Sequence, residues 1–229
     1  MADPAALDDL KRFDTPTICN ALEIVRGHRF TSGFTRRTFV TARPELPAIV
    51  GYARTAAIRC STPYEPADRR RMQLGYYEYL DAGPRPSVAV IQDVDGQPGL
   101  GAFWGEVNTT VHWGMGCVGT VTNGSIRDLD AMQPGFQCLA GSLSPSHAWV
   151  QVVEFARPVD VFGMVVRDGD LVHADRHGAV VFREEELEKL PAAIDLMARR
   201  ERVILDAART PGFGFAQMRD ALAAMEHVK

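Results

Sequence analysis

Three apolar segments, each bounded by turn-forming residues, limit what this chain can fold into. They are IVGYARTAAIRC at 49–60, SVAVIQDV at 87–94 and CVGTVTNG at 117–124. The second is almost uninterrupted by polar residues, which is typical of a strand that is covered on both faces. Helices are predicted between these strands at 68–82 and 105–115. This alternation of strands with helices predicts an α/β fold.

The second half of the chain changes character, because strand-like runs follow one another without intervening helices. These runs occupy 137–139, 150–156, 160–166 and 178–183. A parallel pair needs a long crossover between its strands, so a succession of strands predicts a mixed sheet rather than a purely parallel one. The chain is predicted to form a single compact domain over residues 1–229, with a mixed β-sheet flanked by helices.

Both ends of the chain are predicted to be helical. Thr15 followed by Pro16 is predicted to be an N-cap with proline at the first helical position, which divides the region 5–25 into two helices. Residues 27–48 show little periodicity and are predicted to be loop and extended structure. A helical extension is predicted from about residue 184, with a last helix at about 214–226.

The composition argues against nucleic-acid-binding, membrane and secreted classes of protein. The net charge of −4 and the pI of about 5.9 give no electrostatic reason to expect nucleic acid or an anionic membrane as a partner. Four scattered cysteines without a C-x-x-C pair predict reduced thiols rather than disulfides or a zinc site. The amino-terminal segment is charged where a signal peptide is apolar, and no apolar run approaches the roughly 20 residues of a membrane span. A cytoplasmic protein is therefore expected.

The segment 104–132 contains three charged side chains that could serve one reaction. Glu106 lies at a predicted helix start, where an acidic side chain is favoured even if it only caps the helix. Arg127 and Asp128 would point to opposite faces on a strand, so they can share a site only on a turn or helix start. The alternative for this adjacent pair is a surface ion pair worth under ~1 kcal/mol.

These residue types fit chemistry that passes through the enolate of a 2-oxo acid. The Asp128 carboxylate is a hard oxygen ligand suited to Mg²⁺. The planar guanidinium of Arg127 matches a substrate carboxylate and can meet negative charge that develops on an oxygen. Glu106 could hold a metal-bound water or act as a base through it, while the metal serves as a Lewis acid.

The spacing of these residues resembles that of a known family. Glu106 is followed by twenty residues and then by Arg127-Asp128, within VTNGSIRD. DTPTICNALE at 14–23 and GDLVHADRHGAVVF at 169–182 resemble the opening helix and late hairpin of the same family. It joins class II 4-hydroxy-4-methyl-2-oxoglutarate aldolases with the regulator of ribonuclease activity A, and the aldolases commonly have aspartate where Glu106 stands.

The resemblance implies a fold, an assembly and a cofactor. The fold would be the αββα sandwich of the RraA-like proteins, assembled as a homotrimer or homohexamer with active sites between subunits. The metal would be divalent, with Mg²⁺ favoured and Mn²⁺ as the other candidate, and Asp128 would bind it. Glu201 is the nearest candidate for an acid that reaches the metal site of a neighbouring subunit.

The resemblance also implies roles at the substrate. Arg127 would bind substrate and stabilise its enolate, Glu106 would position water, and the amides of Val107 and Asn108 would hold the pyruvyl carboxylate. The predicted function is a metal-dependent lyase that cleaves a 4-hydroxy-2-oxo acid with release of pyruvate, decarboxylates oxaloacetate-like acids, or does both. The alternative is a non-catalytic regulator that binds a ribonuclease or another protein.

Three other patterns are interpreted as structural. His173, Asp175 and His177 form an H-x-D-x-H pattern that could bind zinc or iron on a strand, but the segment is predicted to be a polar turn. Trp104, His112 and Trp113 are predicted to pack in the core or at a subunit interface. The run Arg69-Arg70-Arg71 is too short and isolated to bind nucleic acid.

Overall fold

Residues 2–229 form seven helices and thirteen strands in the computed structural model of the chain. The helices are α1 (Pro4–Leu10), α2 (Thr15–Arg26), α3 (Pro66–Asp81), α4 (Glu106–Gly114), α5 (Glu184–Leu187), α6 (Leu190–Ala208) and α7 (Phe215–Glu226). The strands are β1 (Val40–Thr41), β2 (Ile49–Arg59), β3 (Ser87–Asp93), β4 (Ala102–Trp104), β5 (Cys117–Thr122), β6 (Ser125–Ile126), β7 (Gln137–Ala140), β8 (Ser142–Leu143), β9 (Gln151–Phe155), β10 (Val159–Val161), β11 (Met164–Val166), β12 (Leu171–Asp175) and β13 (Gly178–Phe182).

A mixed sheet of eight strands forms the centre of the molecule, which confirms the predicted fold class. Its order is β1-β7-β5-β3-β2-β12-β13, and β2, β3, β5 and β7 are parallel. One edge of β2 pairs with β3, and the opposite edge is shared by two antiparallel partners. Strand β12 pairs with its first half and β9 with its second half. The predicted helices α3 and α4 form between the parallel strands, as crossover geometry requires.

Strand β3 is buried on both faces, as its sequence predicted. Ala89 and Ile91 point into a core that includes Tyr76 of α3. Val88 and Val90, the alternate residues, point into a second core on the other face, which the β10–β11 hairpin helps to cover. A third core joins α1, α2 and α6 to β12 and β13. The sheet is therefore enclosed between layers on both sides.

The second helix is capped differently from the prediction. Asp14 rather than Thr15 is the N-cap, and its side chain accepts a hydrogen bond of 2.9 Å from the amide of Thr17. Thr15 and Pro16 are instead the first helical residues. The hydroxyl of Thr15 lies 3.0 Å from Nδ1 of His173, so this side chain is used in a long-range contact rather than as a cap.

The predicted strand at 160–166 is an antiparallel hairpin, in which β10 pairs with β11. Phe162 and Gly163 have φ angles of 53° and 86°. Two successive positive φ angles are the geometry of a tight hairpin turn. The reversal escaped prediction because Phe162 continues the apolar pattern of the run.

The prediction of a polar turn at 173–177 was wrong for His173 and Asp175, which belong to the buried strand β12. His173 contacts Thr15 and lies 3.2 Å from the carbonyl of Leu10, and burial lowers its pKa. Asp175 accepts a hydrogen bond from the amide of Thr15. Both side chains therefore connect the sheet to the start of α2. This agrees with the interpretation of the H-x-D-x-H pattern as structural.

The carboxyl-terminal helices α6 and α7 pack against each other and, through α6, against the third core. Helix α6 packs against α2 and α7, and its residues Ala193 and Ile194 are buried in the third core. Across residues 2–229, no helix is both long enough and apolar enough to cross a membrane.

Candidate active site

A small parallel sheet brings the two halves of the predicted site together. Strand β4 pairs with β6, with Ala102 opposite Ser125 and Trp104 opposite Ile126. The amide of Arg127 then donates to the carbonyl of Trp104 at 2.9 Å. Parallel strands end at the same edge, so the residues that follow β4 and β6 become neighbours. This pairing explains why Glu106 and Arg127-Asp128, which are separated by twenty intervening residues, meet in the fold.

Asp128 adopts an unusual backbone conformation. Its φ angle is 55°, in the left-handed region that aspartate tolerates better than most residues. Its carbonyl accepts hydrogen bonds from the amides of Ala131 and Met132, which fix the turn. Its side chain folds back toward α4, with Oδ2 at 3.4 Å from the amide of Glu106. The turn allows Arg127 and Asp128 to face one cavity despite their adjacency.

Gly105 is a site residue to which the sequence analysis assigned no role. A Cβ atom there would lie 2.5 Å from Oδ2 of Asp128 and 3.3 Å from Cγ of Arg127. The φ angle of −166° is one that any residue adopts, so the restriction is space rather than backbone strain. The only sequence signal was a glycine at the start of the helix predicted at 105–115, which the structure shows to be the N-cap of α4.

The cavity at these residues has a volume of about 200 Å³. Pockets for drug-sized ligands are larger, roughly 300–1,000 Å³, so this one suits a small metabolite. The lining side chains and backbone come from α3, β4, the start of α4, the turn after β6 and the segment before β9. They are Arg69, Gln73, Ala102, Phe103, Gly105, Val107, Asn108, Arg127, Asp128, His147 and Val150.

The start of α4 provides a place for an anion. The amides of Glu106, Val107 and Asn108 belong to its first turn, where a helix has no carbonyl for them to bond to. The helix dipole adds partial positive charge at this point. Asn108 is held firmly, because its side-chain oxygen accepts a 3.0 Å hydrogen bond from the hydroxyl of Tyr77 and its amide group donates to the carbonyl of Phe103.

His112 supports this turn from the core. Its Nδ1 lies 2.6 Å from the carbonyl of Asn108 and its Nε2 lies 2.9 Å from the hydroxyl of Tyr76. Burial lowers its pKa to about 4, so the ring is neutral near pH 7 and can donate from one nitrogen and accept at the other. Trp104 and His112 pack in the core as predicted, whereas Trp113 is partly exposed.

Two predicted site residues, Glu106 and Glu201, do not line the cavity with their side chains. The side chain of Glu106 is exposed and is not among the described residues that line the cavity, although its amide contacts Asp128. Glu201 is exposed on α6, the helix that packs against α2 and α7. A single chain therefore brings together Val107, Asn108, Arg127 and Asp128, and it does not bring Glu201 to them.

A second group in the described part of the chain could hold a metal ion. Ligand atoms of Cys60, Asp93 and Asp95 lie within 4.8 Å of one another at the carboxyl end of β3. Most of their acceptor capacity is already used: Asp93 accepts from the amides of Asp95 and Gly99, and Asp95 from those of Cys60 and Ser61. Burial raises the pKa of the Cys60 thiol to about 12, which favours the protonated form. Metal binding would have to displace these contacts and the thiol proton.

Known proteins with similar sequences or folds include three informative cases. A segment of 116 residues is 28% identical to Protein DlpA of Legionella pneumophila, covering 49% of this chain but only 18% of DlpA. The chain therefore spans less than a fifth of that relative's length. A protein from Pseudomonas syringae pv. tomato has a TM-score of 0.71 and 22% identity, over 95% of this chain and 94% of its own.

The third case is Streptomyces coelicolor RraAS2, described as an unusual member of the RNase ES inhibitor RraA family. It has a TM-score of 0.64 and 22% identity over 88% of this chain and 97% of its own. At these identities the two solved structures show a shared fold. The model of the RraA-like family, which covers aldolases and RraA, matches residues 15–181, so the chain belongs to the RraA-like family.

Proposed function

We propose that this protein is a divalent-metal-dependent lyase acting on a 2-oxo acid. It would cleave a 4-hydroxy-2-oxo acid with release of pyruvate, decarboxylate an oxaloacetate-like acid, or do both. The observation that carries the proposal is the placement of Arg127 and Asp128 beside the amide turn of α4 in one small cavity. With Asp128 as the metal ligand and the α4 amides as the anion site, both would lie with the Arg127 guanidinium within reach of one small substrate.

The donor chemistry of the cavity fits a weakly held Mg²⁺ or Mn²⁺. Asp128 offers a half-exposed carboxylate, and Mg²⁺ typically binds through one or two carboxylates while it keeps several waters. When bound, such an ion supplies Lewis acidity toward the 2-oxo group. The substrate carboxylate would be held by the amides of Val107 and Asn108 together with Arg127.

The retro-aldol cleavage and the decarboxylation would both pass through the same enolate. Breaking the C3–C4 bond leaves its electron pair on the pyruvate half as an enolate, which then takes a proton at C3 to give pyruvate. In the retro-aldol case the 4-hydroxyl must also lose its proton, and we assign that removal to Glu106 acting through a water molecule. Arg127 would stabilise the negative oxygen that develops during cleavage.

Assembly would complete the site. We propose a homotrimer or homohexamer in which Glu201 reaches the Asp128 metal site of a neighbouring subunit. Glu201 is exposed and is not among the described residues that line the cavity of its own chain, which is compatible with a role in a partner. The exposed Val107, which lines the cavity, would then lie close to a subunit contact.

The alternative is a non-catalytic regulator that binds a ribonuclease or another protein. It draws support from the RNase ES inhibitor family of the similarly folded Streptomyces coelicolor protein. A regulator needs a surface but has no need for a paired arginine and aspartate in a cavity. The retained Arg127, Asp128 and acid at position 106 therefore favour the enzyme.

A pyruvate-release assay would test the proposal. The purified protein is incubated with a panel of 4-hydroxy-2-oxo acids and with oxaloacetate, and pyruvate is detected by coupled reduction. We expect turnover that EDTA abolishes and that Mg²⁺ or Mn²⁺ restores. Full activity in a verified metal-free preparation would contradict the metal-dependent mechanism, and absence of turnover on every substrate would favour the regulator.

A further inference from the structure

The run Arg69-Arg70-Arg71 on α3 is not uniform in the structure. Arg71 forms a surface ion pair with Asp68 at 3.1 Å, and Arg70 is exposed. Of the three arginines, only Arg69 lines the cavity. Gln73, one helical turn later, lines it as well. Residues four apart lie on the same face of a helix, so these two side chains form one polar wall.

The guanidinium of Arg69 is held in place without a counter-charge. It lies over the ring of Tyr64 with 5.0 Å to the ring centroid, and Tyr64 in turn makes an edge contact with Trp149 at 5.6 Å. Within residues 2–229, Arg69 forms no ion pair with a carboxylate, whereas Arg127 lies 3.6 Å from Asp128. Arg69 therefore keeps its planar set of donors free for a ligand.

The charges around the cavity are unbalanced. Two guanidiniums, Arg69 and Arg127, and the positive end of α4 face a single lining carboxylate, Asp128. A substrate with one carboxylate, bound at α4 and Arg127, would leave Arg69 unneutralised. A second anionic group at the other end of the ligand would pair with it in a fork-to-carboxylate contact.

We propose that Arg69, assisted by Gln73, is a specificity-determining residue that binds a second carboxylate at the end of the substrate remote from its 2-oxo acid group. This inference rests on the proposed function for the orientation of the ligand. It identifies α3, which lies outside the Glu106–Asp128 segment, as the element that selects dianionic over monoanionic 2-oxo acids.

Equilibrium binding tests the inference without requiring turnover. The probes are 2-oxoglutarate and 2-oxopentanoate, which have the same carbon chain and differ in the distal carboxylate. Titration calorimetry with excess Mg²⁺ is performed on the wild type, on Arg69→Gln and on the matched control Arg70→Gln. A charge-assisted hydrogen-bond pair predicts that the wild type binds the dicarboxylate about ten- to a hundredfold more tightly.

The variants decide the assignment. We expect Arg69→Gln to abolish the preference for 2-oxoglutarate with little change for 2-oxopentanoate, and Arg70→Gln to keep the wild-type preference. Equal binding of both acids by the wild type, or a preference that survives in Arg69→Gln, would overturn the inference. Loss in both variants would also overturn it, because the effect would then be general surface charge. A dianion preference in a protein that turns over no 2-oxo acid would reject the proposed lyase activity while the assignment of Arg69 stands.

Discussion

The backbone amide of Glu106 lies 3.4 Å from Oδ2 of Asp128, which joins the first residue of α4 to the turn after β6. The contact uses one of the amides that a helix start leaves without a partner. It also holds the carboxylate of Asp128 at the mouth of the cavity that Arg127 lines. The metal ligand and the anion-binding turn of the proposed site are therefore positioned by each other.

Gly105→Ala should disrupt this arrangement without unfolding the protein. The new Cβ would meet Oδ2 of Asp128 at 2.5 Å, so the carboxylate has to move away from α4. The backbone conformation of Gly105 is accessible to alanine, and the displaced group is the end of a half-exposed side chain. A displacement of about 1 Å in a catalytic group can lower the rate by roughly 10²-fold.

The test compares steady-state rates at increasing Mg²⁺ with thermal denaturation of the same samples. We expect a lower kcat and a higher Mg²⁺ requirement at nearly unchanged Tm. Gly114→Ala, at a helical position where the added methyl group meets nothing within 4 Å, is the control and should behave as the wild type. Wild-type kinetics in Gly105→Ala would show that the position of Asp128 does not matter for the reaction.

The central sheet was predictable because the apolar pattern of each strand indicates which of its faces are buried. Strand β3 is apolar on both faces, so its sequence alone required cover on both sides. The start of α4 was predictable for a similar reason, since an acidic side chain such as that of Glu106 is favoured in the first turn of a helix. The proximity of Glu106 to Arg127-Asp128 came from the resemblance and not from local pattern.

The parts that were missed depend on contacts between distant residues. His173 can be buried in β12 because Thr15 and the carbonyl of Leu10, both more than 150 positions earlier, provide its polar partners. Gly105 is required by the side chain of Asp128, which the chain reaches only after another helix and two strands. Single-sequence patterns contain no record of such partners, so the polar residues from His173 to His177 suggested a turn and the role of Gly105 was not recognised.

Arg127→Lys should lower kcat more than it raises KM. Lysine keeps the positive charge but loses the planar fork, so the change tests geometry rather than net charge. Removal of one preorganised donor to developing negative charge typically costs about 10²–10³ in rate. Folding should survive because the Arg127 side chain is 37% exposed. A folded variant that turns over 2-oxo acids at the wild-type rate would exclude Arg127 as the catalytic group.

Stability should fall as the pH is lowered below about 6.5. Burial lowers the pKa of His112 from its usual 6.5 to about 4, so between these values the unfolded chain binds a proton that the folded chain does not. The contribution of His112 to the free energy of unfolding should therefore decrease with falling pH by up to about 1.4 kcal/mol per unit, and this contribution should level off below pH 4. Burial shifts the pKa of His173 in the same direction and adds to the effect.

Urea denaturation at a series of pH values between 4 and 7.5 would measure this dependence, in wild type and in His112→Asn. The variant should be less stable at pH 7.5, because it loses the contact with Tyr76, but its stability should vary less with pH. His28→Asn, at an exposed position, provides the control. Identical pH profiles for the wild type and His112→Asn would contradict a buried neutral His112.

Mixed oligomers should reveal whether Glu201 acts on a neighbouring subunit. Arg127→Ala and Glu201→Gln are each expected to abolish activity as pure proteins. If a site combines Arg127 of one chain with Glu201 of the next, random one-to-one mixing leaves both groups intact in about a quarter of the sites of a cyclic oligomer. Coexpression with two different tags, followed by tandem purification, would isolate the mixed species for the pyruvate-release assay.

The control is Glu188→Gln, which changes another exposed glutamate before α6 and should retain activity on its own. We expect the mixed species to regain about a quarter of the wild-type rate or more, since selection for both tags removes the pure oligomers. Inactive mixed oligomers of verified composition would mean that Glu201 does not complement Arg127 across an interface. A Glu201→Gln protein with full activity would exclude this glutamate from the site altogether, leaving Asp128 as the acid that holds the metal.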